Sequence, residues 1–331
     1  MNFNIGEIHK NTPHLFADLA ELILMVGYNG RNSLHKNDLE AVINTGIISM
    51  EELDDDEQAD IDADDLNQVD AEKNDRLERQ LEDVLTQLDF RTKALNDYYP
   101  FEINGEAIVL KNHLNEKQRV YKLLLACSRL RSFEGPGIAQ SWAKAFTNLS
   151  KIALRALLPN EAVIRIFDAN SDDRATYYTH SLDEALKRLG QDLSVEINLP
   201  NCDKAGKSGD AGLDLVAFLN FNDGAKTSYA LFGQCGAQET GWPKKTLEAH
   251  SMRYRGYYQI LFDFPGVMFT PVCYRSADGD WWDIQAATGV VLLDRIRIMK
   301  LLDVQDIWNE IVKYPWFIEF ETAIDTVQAP D

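Results

Sequence analysis

Polar side chains that could do chemistry stand in two apolar runs that the sequence predicts to be neighbouring strands. Leu213–Phe221 is mostly apolar and rich in strand-forming residues, and Thr227–Cys235 is a second run of the same kind. Between them, Asn222-Asp223-Gly224 predicts a turn, because these residues tolerate the backbone angles of a hairpin. Asp214 lies inside the first run, and Gln234 lies near the end of the second.

An acidic residue in a buried strand needs a physical explanation. Its burial costs several kcal/mol unless the carboxylate is paired or bound to a metal ion. One interpretation is that a backbone turn or an arginine satisfies Asp214. The other is that Asp214 holds a metal, with Gln234 beside it.

The residues Gly209-Asp210-Ala211-Gly212-Leu213-Asp214, followed by a strand and then by Gln234-Cys235-Gly236, resemble the core of the PD-(D/E)xK metal-dependent nucleases. Within that superfamily the chain is most similar to the Mrr-like restriction endonucleases, which carry G-D-x-G-x-D and Q-x-K elements. The likeness covers roughly residues 130–250. It implies an α/β fold with a restriction-endonuclease-like mixed central sheet, flanked by helices and preceded by helical N-terminal additions.

The resemblance also implies a metal site. Asp214 and Gln234 would hold Mg²⁺, for which Mn²⁺ is the expected substitute, and Asp210 or Glu134 would supply a further oxygen. Glu134 resembles the glutamate that the helix before the catalytic hairpin often contributes in these folds. It is equally interpretable as a first-turn acid favoured by the helix dipole. The metal would polarise the phosphate and lower the pKa of the attacking water.

One motif residue differs from the family pattern, because Gly236 stands where the resemblance places a lysine. That lysine supplies positive charge near the nucleophile and the developing oxyanion. Some members of the family recruit a lysine from the following helix instead. Lys244 and Lys245 lie where we expect that helix to begin, with Pro243 suited to its first turn. Lys245 is the first choice of the two.

Two classes of function follow from these residues. The first is a Mg²⁺-dependent endonuclease that hydrolyses phosphodiester bonds of DNA, in defence against foreign DNA and with a partner protein such as an ATPase or helicase. The second is a catalytically degenerate nuclease fold that serves as a structural or nucleic-acid-recognition subunit of a defence complex. Gly236 favours the second class, whereas the intact G-D-x-G-x-D element and the Lys244/Lys245 pair favour the first.

Other chemistries find little support in the sequence. The six histidines include no H-x-x-x-H pair, and no G-x-S-x-G element is present. Gly206-Lys207-Ser208 resembles the end of a phosphate-binding loop, but Asn201 stands where the earlier glycine is required. Any nucleotide-driven activity is therefore expected from a partner.

Composition bounds the partners and the location. The net charge of −20, from 53 acidic and 33 basic residues, has the wrong sign for unaided capture of DNA. No apolar run approaches the ~20 residues of a membrane helix, so we expect no membrane contact. The N-terminus lacks the pattern of a secretory signal. The four widely spaced cysteines predict reduced thiols. These features together predict a cytoplasmic protein.

The predicted domain organisation has four parts. Residues 1–50 are expected to form a small helical unit. Residues 51–74 are expected to form an acidic, disordered linker, in which ten of the fifteen residues from Glu51 to Asp65 are acidic. Residues 75–130 form a connector with a helix over 75–96 and a hairpin over 101–110. Residues 131–331 form the restriction-endonuclease-like domain with a C-terminal extension.

Overall fold

The structure is a computed structural model that describes residues 1–27, 30, 32–48 and 66–327. The α-helices of this described part are α1 (Pro13–Met25), α2 (Lys36–Thr45), α3 (Leu66–Leu95), α4 (Glu116–Ser128), α5 (Ile138–Leu154), α6 (Leu182–Asp192), α7 (Leu199–Lys204), α8 (Arg295–Gln305), α9 (Trp308–Ile311) and α10 (Pro315–Ile324).

The β-strands of the same described residues are short and numerous. They are β1 (Asn2–Phe3), β2 (Glu7–Ile8), β3 (Ser33–His35), β4 (Ile47–Ile48), β5 (Phe101–Asn104), β6 (Ala107–Leu110), β7 (Phe133–Glu134), β8 (Val163–Ile166), β9 (Glu196–Ile197), β10 (Leu215–Leu219), β11 (Tyr229–Cys235), β12 (Tyr258–Gln259), β13 (Gly266–Phe269) and β14 (Val291–Leu293).

The chain divides into two compact units. The first unit comprises Met1–Ala139, Val272–Trp282 and Trp308–Asp331, and the second comprises Gln140–Pro271 and Asp283–Ile307. The sequence predicts a domain boundary at residue 131, whereas the first unit runs to Ala139 and also includes Val272–Trp282 and Trp308–Asp331. The segment Asp283–Ile307, which contains β14 of the sheet, belongs to the second unit.

The second unit is built on a five-stranded sheet in the order β14-β13-β11-β10-β8. Strand β10 pairs antiparallel with both β8 and β11, whereas β13 pairs parallel with β11 and with β14. The sheet is thus mixed, and the chain belongs to the mixed α/β class, as the sequence predicts.

Apolar packing fixes the register of the two central strands. Val216 of β10 lies opposite Phe232 of β11, and both are buried in a cluster with Leu186 and Leu189 of α6. A shift of one residue would turn these side chains to the other face of the sheet. The packing therefore determines which residues stand at the ends of the strands.

The predicted hairpin is confirmed with shorter strands than expected. Leu215–Leu219 and Tyr229–Cys235 pair antiparallel, and the turn uses left-handed backbone at Asn222 (φ 53°) and Gly224 (φ 81°). Because β10 begins at Leu215, Asp214 stands immediately before the strand instead of inside it.

The helix predicted after β11 is absent from this described segment. Trp242–Lys245 forms a single 3₁₀ turn, and Ser251–Tyr254 forms another. Between them His250 takes an extended conformation, and its Nδ1 accepts the backbone N–H of Met252 at 3.2 Å. This cap starts a new turn and so interrupts a continuous helix.

In the first unit, α1 packs against α3 and α4 and is buried from His14 to Met25. Two of its buried residues, Asp18 and Glu21, are acidic. Arg91 of α3 donates from Nη1 to a carboxylate oxygen of each, at 2.7 Å in both cases. The hydroxyls of Tyr99 and Tyr121 donate to Glu21 at 2.8 and 2.6 Å. We call these five residues the Arg91 network.

Helix α3 begins at Leu66, so the prediction that residues 66–74 belong to the linker is wrong. Its Gln, Glu, Lys and Ala residues are good helix formers that extend the helix toward its N-terminus. The acidic stretch 51–65 lies outside the described residues. Among the residues that are described, no helix is both long enough and apolar enough to span a membrane.

Candidate metal centre

Three aspartates of the second unit come together at one end of its sheet. Asp168, Asp210 and Asp214 each place one carboxylate oxygen so that the three atoms lie within 4.8 Å of one another. All three side chains are partly buried. We call them the three-aspartate group.

Strand pairing brings Asp168 to this group. Strand β8 runs antiparallel to β10, with Ile166 opposite Leu215, so the end of β8 meets the start of β10. The pairing continues one residue further, because the N–H of Phe167 donates to the carbonyl of Asp214 at 2.7 Å. Asp168 then turns the chain, since its Oδ1 accepts the N–H of Asn170 at 2.9 Å.

Asp210 is held by a tight loop with left-handed backbone at Gly209, Ala211 and Gly212 (φ 90°, 59° and 79°). The N–H of Gly212 donates to Asp210 Oδ1 at 2.8 Å. A Cβ added at Gly212 would lie 3.1 Å from Cβ of Glu248, and left-handed angles disfavour side chains in any case. The glycines of the G-D-A-G-L-D sequence thus shape the loop that presents Asp210.

Asp214 completes the group and carries the largest electrostatic perturbation in it. Burial raises the pKa of Asp214 from its ordinary value to about 7. The negative charges of Asp210 and Asp168 add to the rise, whereas Lys245 and the N–H of Cys235, which donates to Asp214 Oδ2 at 2.7 Å, oppose it. Three carboxylates at this spacing therefore repel one another unless a proton or a cation is present.

Gln234 lies across the strand pair from Asp214. The register pairs Leu215 with Gly233, and the N–H of Asp214 donates to the carbonyl of Gly233 at 3.0 Å, so Gln234 directly follows the residue that Asp214 contacts. Only 7% of Gln234 is exposed. Its Oε1 is buried and accepts no hydrogen bond from the described residues. A buried acceptor without a donor costs free energy that an external ligand would recover.

The position of the missing motif lysine has no room for a side chain. A Cβ at Gly236 would lie 2.5 Å from Cε of Met268 and 2.5 Å from Cβ of Trp242. Lys245, on the adjacent 3₁₀ turn, is partly buried, and its charge lowers the pKa of Asp214. Lys244 is exposed. Of the two candidates, Lys245 is thus the one whose charge acts on the three-aspartate group.

Glu134 is placed differently from the prediction. It does not open a helix: it belongs to β7, where it pairs with Asn2 of β1, and α5 starts only at Ile138. The intervening Gly135-Pro136-Gly137 separates the two elements. Glu134 is exposed in the first unit and accepts a hydrogen bond from Nδ2 of Asn4 at 3.2 Å. It is not a member of the three-aspartate group.

Asp168 is the residue that sequence reasoning missed. The run Ala162–Asp168 predicts a strand beside the motif strands, and an acid that follows such a strand stands at its exposed end. That signal marks Asp168 as a candidate once β8 and β10 are known to be antiparallel. The pairing direction itself is a long-range property that the local sequence does not specify.

The donor set fits a hard divalent cation. Carboxylate oxygens are ligands that Mg²⁺ and Mn²⁺ take in proteins, and the three-aspartate group offers three of them within 4.8 Å of one another. A bound cation would offset the repulsion among the aspartates. Comparisons of the chain with protein-family models, with curated proteins and with solved structures found no match.

Proposed function

We propose that the chain is a metal-dependent nuclease that hydrolyses phosphodiester bonds of DNA with Mg²⁺ or Mn²⁺. The observation that carries the proposal is the three-aspartate group, whose carboxylate oxygens lie within 4.8 Å of one another. Gln234, which follows the residue that Asp214 contacts, has a buried Oε1 that accepts no hydrogen bond from the described residues. A divalent ion held there would act as a Lewis acid on the phosphate and lower the pKa of a water molecule.

The residues of the chain have separable roles in this proposal. Asp168, Asp210 and Asp214 hold the ion, and Gln234 adds a neutral oxygen. Lys245 supplies the positive charge that the PD-(D/E)xK pattern requires, in place of Gly236. A permanent cation near the developing negative charge stabilises the transition state.

The sheet of the second unit also supports the proposal. The resemblance predicts a mixed central sheet with the motif on two adjacent strands. The motif residues lie at the joined ends of β10 and β11, two neighbouring strands of a five-stranded mixed sheet. We therefore propose that the second unit has a restriction-endonuclease-like fold. DNA as the substrate, a role in defence and a partner protein come from the resemblance and from the charge of the whole chain.

The experiment is a cleavage assay of the purified chain on plasmid DNA with Mg²⁺ or Mn²⁺, with EDTA as the blank and RNA as a second substrate. Asp214→Ala should abolish metal-dependent cleavage, since it removes a ligand. Asp223→Ala is the matched control, because Asp223 is an exposed acid in the β10–β11 turn. Cleavage of RNA without cleavage of DNA would mean that the substrate is RNA. Unaltered cleavage by Asp214→Ala would refute the metal site.

A second candidate function rests on Gly236. Because Met268 and Trp242 fill the space that a lysine side chain would need, the chain is also interpretable as a degenerate nuclease fold that binds nucleic acid as a subunit of a complex. That reading predicts binding of DNA without cleavage under any divalent metal, with the partner protein present or absent.

A further inference from the structure

Arg174 is a fully buried arginine next to the three-aspartate group. It is 0% exposed and opens a short π-helical turn, Arg174–Tyr178. Within the described residues its guanidinium forms no ion pair with a carboxylate. A buried cation is costly unless nearby negative charge compensates it, so the position of Arg174 requires an explanation.

The guanidinium of Arg174 binds the peptide groups that precede two of the aspartates. Its Nη1 donates to the carbonyl of Phe167 at 2.7 Å, and its Nη2 donates to the carbonyl of Gly209 at 3.3 Å. Phe167 is followed by Asp168, and Gly209 is followed by Asp210. One planar side chain thus joins two segments far apart in the sequence and fixes both immediately before a carboxylate.

The third contact of Arg174 holds a strained segment. Its Nε donates to the carbonyl of Thr179 at 2.7 Å, and Thr179 has a φ of 73°. Left-handed backbone is unusual for a β-branched residue and persists only where the surrounding structure enforces it. The guanidinium also lies over the ring of Phe167, 4.3 Å from its centroid. Arg174 is therefore locked in one orientation.

The charge of Arg174 acts on the same aspartates. Burial lowers the pKa of Arg174, and the negative charges of Asp210 and Asp168 act in the opposite direction. The attraction is mutual, so the guanidinium offsets part of the repulsion among the carboxylates. Because the guanidinium donates to carbonyls and, within the described residues, to no carboxylate, the carboxylate oxygens stay available to an ion.

We propose that Arg174 is a positioning residue of the metal centre. It holds Asp168 and Asp210 in place through the carbonyls of Phe167 and Gly209, and its charge keeps the three-aspartate group assembled before an ion binds. The inference rests on the proposed metal site but not on the nuclease activity, because it concerns ion affinity.

The test measures Mn²⁺ affinity, from the electron paramagnetic resonance signal of free Mn²⁺, for the full chain and three variants. Arg174→Met removes the charge and the three donors, whereas Arg174→Lys keeps the charge and loses the planar fork. Arg165→Met is the matched control, since Arg165 is partly buried in β8, lies over aromatic rings and pairs with Asp192 away from the group.

We expect Arg174→Met to raise the Kd for Mn²⁺ by about 10–100-fold, as loss of groups that orient metal ligands does. Arg174→Lys should give an intermediate Kd, and Arg165→Met should leave the Kd within about threefold of the parent value. Circular dichroism establishes that each variant is folded. If Arg174→Met fails to fold, Arg174→Lys decides the question.

Each other outcome has a definite meaning. A folded Arg174→Lys or Arg174→Met chain with the parent Kd overturns the inference, and so does an equal loss of affinity in Arg165→Met, which would indicate general destabilisation. A parent chain that binds Mn²⁺ but cuts no nucleic acid refutes the nuclease and leaves the role of Arg174 intact. A parent chain that binds no Mn²⁺ overturns both.

Discussion

Each unit of the chain contains a cluster of acidic side chains, buried in the first unit and partly buried in the second, and the two clusters differ in their partners. In the first unit, the carboxylates of Asp18 and Glu21 share Arg91, and two tyrosine hydroxyls complete the shell of Glu21. In the second unit, the three aspartates form no ion pair among the described residues, and Arg174 donates only to carbonyls. The acids of the Arg91 network are paired with a cation within the protein, although Arg91 Nε itself has no hydrogen-bond partner among the described residues, whereas the three-aspartate group has no such paired cation there and is proposed to bind an external one.

The two units also differ in net charge. The first unit, with its acidic stretch, contains 16 basic and 34 acidic residues, whereas the second contains 17 basic and 19 acidic ones. The charge of −20 therefore belongs almost entirely to the first unit. The unit that carries the candidate metal centre is nearly neutral, so whole-chain charge does not argue against a phosphate-bearing substrate there.

The largest expected effect is on stability, where matched substitutions in the two clusters should diverge. Glu21→Ala leaves Arg91 short of a partner and two tyrosines without an acceptor, which should lower the free energy of unfolding by about 3–5 kcal/mol. Asp214→Ala removes one of three like charges and should change it by less than about 1 kcal/mol. Urea unfolding in EDTA measures both.

The control for this comparison is Glu78→Ala. Glu78 is exposed and pairs with Lys36 at the surface, so its loss should cost at most about 1 kcal/mol. If Asp214→Ala destabilised the chain as much as Glu21→Ala, Asp214 would be a structural acid, and the contrast between the clusters would fail.

The second effect concerns the rate of cleavage and uses two adjacent lysines. Lys245→Ala should slow metal-dependent DNA cleavage by about 10²–10³-fold, because it removes a charge that stabilises the transition state. Lys244→Ala should leave the rate almost unchanged, since Lys244 is exposed. Mn²⁺ affinity should survive both changes. Undiminished cleavage by the single and double variants would show that neither lysine replaces the one missing at Gly236.

A third effect is a pH dependence of the free energy of unfolding, which arises from Asp214 in the second unit. Burial raises the pKa of Asp214 to about 7, so the folded chain holds this proton more tightly than the unfolded chain does. In the unfolded chain the pKa of Asp214 is near 4. The contribution of Asp214 to the free energy of unfolding therefore falls as the pH rises from about 4, the unfolded pKa, through about 7, the folded pKa.

Asp214→Asn cannot titrate and should lose this dependence. Measured in EDTA, its stability relative to the parent should rise by more than about 1 kcal/mol between about pH 5 and about pH 8. Asp223→Asn serves as the exposed control. A constant difference between Asp214→Asn and the parent across this range would contradict the raised pKa. In the parent, Mn²⁺ affinity should increase up to about pH 7 as the competing proton leaves.

The smallest expected effect comes from deleting residues 51–65, which carry much of the negative charge of the first unit. Residues 51–65 carry ten of the acidic side chains and few apolar ones, so the sequence predicts that they add little to the folded core. Deleting them should leave the Tm nearly unchanged. A large fall in the Tm would mean that this stretch packs against the first unit or binds a cation.

Local sequence predicted the elements that the metal centre is built on. Alternating and continuous apolar runs located β10 and β11, and Asn222-Asp223-Gly224 located the turn. Asp214, inside the first run, and Gln234, near the end of the second, were candidates because the resemblance matches them to metal ligands. Each of these signals lies within a few residues, which is the range over which propensity and turn chemistry act.

The remaining features depend on contacts between distant segments. Asp168 joins the group because β8 pairs with β10, and Arg174 reaches Gly209 across more than thirty residues of chain. The sequence places Glu134 in a helix, but Glu134 lies in a strand because it pairs with Asn2, more than a hundred residues earlier in the chain. No local pattern encodes these pairings, so the sequence alone could not supply them.

The most direct measurement is an anomalous diffraction map of crystals of the full chain soaked in Mn²⁺. We predict a peak among Asp168, Asp210 and Asp214, about 2 Å from a carboxylate oxygen of each, and none at the Arg91 network. The same soak of Asp214→Asn crystals should show that peak lost or strongly reduced. A map of the parent with no peak at the three-aspartate group would contradict the account.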